Sequence, residues 1–121
     1  MRLAVSIALL LTASSLSHAQ QPQGTMMGAG MMSCAEFGFQ HRQPSTPELG
    51  FFYFSWAQGF MSGLNVTELA LNRPMRNLNA MPVADQQKAI QKLCDERPHL
   101  TVAEVVRDFY QTLPLIPPPP K

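Results

Sequence analysis

The chain has 121 residues, two of them cysteines, with nine basic and eight acidic side chains and 45% hydrophobic residues. A formal charge of +1, with no run of Lys or Arg, excludes the basic stripe that nucleic-acid phosphates require. The length suits one domain with a modest core, small enough to gain from a covalent staple.

The amino terminus has the order of parts of a cleaved export signal. Met1 and Arg2 are positively charged, Leu3 to Thr12 is mostly apolar, and Ser17-His18-Ala19 offers small residues for cleavage after Ala19. The apolar stretch is too short for a bilayer core of roughly 30 Å. Residues 1–19 are therefore expected to be a signal peptide, with the mature chain in the periplasm or secreted. Removal of Arg2 leaves eight basic and eight acidic residues, a mature formal charge of zero. Two cysteines in an exported chain allow one disulfide, Cys34 to Cys94. Closing that loop stabilises the fold by roughly 4 kcal/mol through the unfolded chain's lost entropy.

Residues 20–32 are rich in Gln, Gly and Met without periodicity, and read as a flexible arm. The Met26-Met27 and Met31-Met32 pairs have the softness for Cu(I), but no Cys or His joins them in the segment, so a linker is the better reading. Ser33-Cys34-Ala35-Glu36 fits a capping box and should start a short helix, which Pro44 and Pro47 close.

Glu48 to about Leu71 reads as the central helix, uncharged between Glu48 and Glu68. At about 100° per residue, Leu49, Phe52, Tyr53, Trp56, Phe60 and Leu64 share a broad face that Phe54, Ala57 and Met61 widen. Gln58, Asn65, glycines and hydroxyls argue against a membrane span. Ser55, Gly59 and Gly63 recur at four-residue spacing and let another helix approach closely, with Trp56 across the groove. That helix belongs either to this chain or to a second subunit.

Asn72 to Pro82 carries turn residues and should be a surface loop, whose Arg73 and Arg76 make it a candidate partner contact or a solvated connection. Pro82 to Arg97 reads as a third helix, with Val83, Ile90, Leu93 and Cys94 on its apolar stripe and Pro82 in its first turn. Pro98 ends it. Thr101-Val102-Ala103-Glu104 is a second capping box, after which Val102, Val105, Val106, Phe109, Tyr110 and Leu113 form a narrow stripe. Pro114 stops that helix, and residues 115–121 make a Pro-rich tail, a frayed end or a ligand for an aromatic groove.

No nucleophile with a base, paired carboxylates or metal-ligand spacing stands out. His41 and His99 lie beside helix ends without ligand-spaced neighbours. Asn65-Val66-Thr67 matches an N-glycosylation pattern but falls inside the central helix. The expectation is a protein that is not an enzyme and has no cofactor.

Ser33-Cys34 at a short helix, Trp56-Ala57-Gln58-Gly59-Phe60-Met61-Ser62-Gly63, Leu93-Cys94 before Pro98, and Thr101 through Tyr110 to Leu113-Pro114 together resemble the Rap/Tai immunity-protein family. The resemblance covers residues 33–114 and is similar in build to HdeA-type periplasmic acid chaperones. It implies an all-α, small four-helix bundle-like domain closed by the Cys34–Cys94 bridge, with Trp56, Gly59 and Gly63 in the helix packing. It also implies a periplasmic module, in some members a homodimer, that binds a protein partner such as a peptidoglycan amidase effector. An acid-stress chaperone is the alternative. The arm and the tail lie outside the resemblance.

Overall fold

Ser33 and Thr101, the two hydroxyl residues expected to start helices, stand opposite each other in an antiparallel bridge. The computed structural model describes residues 26–43 and 47–120. The expected export segment, residues 20–25 of the arm and the Pro44 boundary lie outside the described residues. Four helices follow in order: α1 (Cys34–His41), α2 (Pro47–Ala70), α3 (Val83–Glu96) and α4 (Val102–Thr112). Two short strands, β1 (Met75–Arg76) and β2 (Leu115–Ile116), pair antiparallel. The domain is thus a small helical bundle, closed by a disulfide between Cys34 and Cys94.

Helices α1 and α4 each start at a side-chain cap. Ser33 Oγ accepts from the Glu36 N–H at 3.2 Å, but the Glu36 carboxylate turns to Gln40 rather than back to the cap, so this box is half made. The first N–H groups of α1 find other acceptors: Cys34 donates to Leu100 O (2.8 Å) and Ala35 to Pro98 O (3.0 Å). Those two bonds seat the start of α1 on the chain leaving α3, with the Cys34 and Cys94 Cα atoms 4.8 Å apart.

At α4 the box is complete. The Glu104 carboxylate accepts from Thr101 N (2.8 Å) and Thr101 Oγ1 (2.9 Å), while Thr101 Oγ1 accepts from Glu104 N. The Thr101 backbone N–H, and next its hydroxyl, lower the Glu104 pKa below the ordinary carboxylate value. A folded pKa below the unfolded one gives stability that is full above about pH 4.3 and lost as pH falls through the folded value. Glu104→Gln is therefore expected to melt below the parent at neutral pH, with the gap closing at a pH well below the ordinary carboxylate range. Paired melting curves at the two pH values check this, and a gap independent of pH would contradict it.

The core gathers the one-sided stripe of α4 (Val102, Val105, Val106, Phe109, Tyr110, Leu113) with Tyr53, Phe54, Ala57 and Met61 of α2, Phe37 of α1 and Ile90 of α3. Phe37 meets Tyr53 edge-on at 5.1 Å. Asn65, first residue of the glycosylation pattern, is used inside the fold. Its side chain exchanges two 2.8 Å bonds with the Arg76 backbone and accepts a third from the Tyr110 hydroxyl.

The structure corrects several expectations. The arm is not a free linker throughout: Ala29–Met31 form one turn of 3-10 helix, with Ala29 and Gly30 buried. A Cβ on Gly30 would stand 2.0 Å from the Trp56 ring, so the small residues there make room for the indole. Pro82 precedes α3 instead of lying within it, and Val83 is exposed. Its place in the core is taken by Gln86, whose Nε2 donates to Leu78 O and Met81 O at 2.8 and 2.7 Å. The tail does not simply fray, because Leu115 and Ile116 pair with the loop's Arg76 and Met75.

Candidate functional site

Helix α2 has 24 residues, a rod about 36 Å long, and only one side of it is used by the bundle. Tyr53, Phe54, Ala57 and Met61 are buried, with Leu49, Trp56, Phe60 and Leu64 half-buried beside them. On the opposite side lie Phe51 and Phe52, 73% and 58% exposed, then Ser55, Gly59, Ser62 and Gly63, then Val66 and Leu69, 66% and 44% exposed. No charge interrupts this outer face from Leu49 to Thr67. Isolated apolar side chains on a surface are ordinary; several gathered along one uncharged helix face make it the candidate site.

The residues of this face are ordered about its middle. Gly59 has Ser55 and Gly63 four residues to either side, and Phe52 and Val66 seven residues to either side. Large apolar groups therefore flank a shallow centre. A Cβ placed on Gly59 or Gly63 would meet no atom within 4 Å. The spacing allows a helix of this chain or of a second subunit; no described helix of this chain approaches these glycines, so packing within the bundle is not seen among the described residues. Phe52, expected in the buried face, belongs to the outer one. The helix is apolar around most of its circumference, and periodicity alone could not choose its inner side.

Trp56 sits at the border. Its ring stacks on Phe60 (5.2 Å between centroids, 12° between planes) and its Nε1 donates to Met27 O at 3.2 Å. The indole thus covers Gly28 and Gly30 of the arm, not the groove at Gly59.

The two arginines of the expected contact loop have separate tasks. Arg73 forms a two-pronged pair with Glu68 at 2.6 and 3.0 Å on the surface. Arg76 is half-buried and donates to Leu113 O (2.8 Å) and Gln111 Oε1 (3.1 Å), placing its cation on the carboxyl end of α4. Arg76 is therefore a structural clasp, which corrects its reading as an exposed contact. Sequence signals for such a clasp are weak, because the partner carbonyl is 37 residues away.

His41 and His99 are exposed, and among the described residues no three His, Cys, Asp or Glu side chains converge as a metal set. Burial raises the Tyr53 and Tyr110 pKa values, with the nearby carboxylates of Glu36 and Glu68 acting in the same direction. Among the described residues no helix is long and apolar enough to cross a membrane. Comparison of the chain with protein-family models, curated proteins and solved structures finds no match.

Proposed function

We propose that this chain is an exported protein-binding module that docks its partner on the outer face of α2. One observation carries the reading: Gly59 and Gly63 stand exposed in the middle of a helix, between exposed Phe52 and Val66. Each glycine costs the helix about 1 kcal/mol relative to Ala, and among the described residues nothing lies within 4 Å of where its Cβ would be. Close approach by another backbone recovers that cost, and the flanking aromatic and aliphatic groups supply the apolar area. The resemblance to Rap/Tai proteins suggests the class of partner, a peptidoglycan amidase effector met in the periplasm. The acid-chaperone alternative has less support, because among the described residues no carboxylate is buried in the core as an acid trigger.

The test uses Gly59→Arg in the full chain. Arg is a better helix former than Gly and its Cβ would meet no described atom within 4 Å, so the variant should melt at or slightly above the parent's temperature. Binding should nevertheless be lost. A photo-crosslinking residue at position 59 should capture a discrete adduct in the periplasm, absent when the same residue replaces Lys88 on the polar side of α3. Protection of cells against a co-expressed amidase effector should vanish with Gly59→Arg if the immunity version holds. Equal capture at positions 59 and 88, or none at either, would overturn the docking face.

A further inference from the structure

A cavity of about 270 Å³ lies where the first half of α2 meets α1, α3 and the start of α4, away from Gly59 and Gly63 and with Phe51 of the outer face at its rim. Its inner wall is formed by Phe54, Ala57, Ile90 and Val102, all buried. His41 and Phe51, both exposed, stand at its mouth with half-buried Gln87. The Tyr53 hydroxyl also lines the space but is already bonded to Gln40. No carboxylate and no Lys or Arg is among the lining residues.

These features define the ligand. An apolar cavity of about 150 Å³ already takes benzene, so at the same density 270 Å³ accommodates about eleven carbon atoms. A body of that size is too large for a trapped water and matches a medium acyl chain. The polar groups at the mouth, imidazole and carboxamide, can both donate a hydrogen bond to an oxygen. A cationic head would find no negative partner there, whereas an oxygen-bearing head finds two donors.

We propose that this cavity binds a medium-chain carboxylate, its chain of about ten carbons against Ala57 and Ile90 and its oxygens at His41 and Gln87. Ala57 is the residue that leaves the space open. A larger aliphatic side chain at that position fills it from the helix backbone.

Decanoate titrated into the oxidised full chain is the experiment, followed by calorimetry and by amide shifts in ¹⁵N-labelled protein. Saturable one-to-one binding is expected, with the largest shifts at Ala57, Ile90 and Val102 and a raised melting temperature. Ala57→Leu should keep the fold and lower the affinity at least about tenfold, since the added carbons occupy the chain's place. Gly50→Leu narrows the mouth instead and serves if the first variant fails to fold. Decyltrimethylammonium, with the same chain length and a cationic head, should bind at least about tenfold more weakly. Absence of saturable decanoate binding would overturn the proposal. So would equal affinity for the two heads, or shifts centred on Gly59 and Gly63.

Discussion

Replacing Cys34 and Cys94 together by Ala should lower the stability of the domain by about 4 kcal/mol, the largest single effect expected in this fold. The two cysteines are 60 residues apart, so the bridge removes a long loop's worth of freedom from the unfolded chain. Both residues are almost fully buried, and Ala at each avoids placing a polar group or a free thiol in the core. The bridge fastens the first residue of α1 to the last turn of α3. Apart from it, the start of α1 is held by two backbone bonds, to Pro98 O and Leu100 O, and by the Phe37 ring against Tyr53. For a domain of this size, a loss of that magnitude lowers the melting temperature by on the order of 15–30 °C. Calorimetry of the double variant, and of the parent with and without dithiothreitol, measures it. A melting temperature unmoved by both treatments would mean that the bridge does not carry this load.

What the sequence revealed depended on how one-sided each helix is. In α4 the apolar residues fall in a narrow stripe and the polar ones opposite, so Val102 through Leu113 could be assigned to the core without a structure, and they are buried there. In α2 apolar side chains surround most of the helix. Phe52 and Tyr53 are neighbours with equal claims to the core, yet only Tyr53 is buried. Gln86 shows a different failure. It stands four residues before Ile90 and eight before Cys94, in register with the buried stripe, but a two-class reading counts an amide as polar and passes over it. Its Nε2 is satisfied by two carbonyls of the preceding loop, which no local pattern announces.

The same holds for the candidate site. The four-residue spacing of Ser55, Gly59 and Gly63 was visible at once, whereas what those residues face is a property of the packing. The arm departs from its expected flexibility for a related reason. Gly28 and Gly30 are small because Trp56 lies on them, and smallness in sequence reads as flexibility. One tryptophan thus explains an apparent linker, and it leaves the Gly59 groove uncovered by the described residues.

Asn65→Ala should cost about 2 kcal/mol, more than any other exposed or half-buried polar position in the domain. The amide acts as a strand partner for Arg76, donating from Nδ2 to its carbonyl and accepting at Oδ1 from its N–H, each at 2.8 Å. Oδ1 accepts also from the Tyr110 hydroxyl at 2.8 Å, so α2, β1 and α4 meet on one side chain. Truncation leaves three polar groups without their partners. The Arg76 backbone is half-buried and can recruit water, while Tyr110 is 4% exposed and has less chance to do so. Tyr110→Phe alone removes one donor and should cost about 1 kcal/mol. Because both substitutions break the same bond, the double variant should be less destabilised than the two single ones added together. Urea unfolding of the four proteins measures the coupling, and simple additivity would dissociate Tyr110 from the clasp. Hydrogen exchange separates local from global loss. With Asn65 removed, β1 loses its α2 anchor but keeps β2 and the Arg76 side chain on Leu113 O, so exchange at Arg76 and Asn77 should quicken more than in α4. Uniform quickening across α4 would mean instead that the Asn65–Tyr110 bond holds α2 against the core, and that the pose of the docking face depends on it.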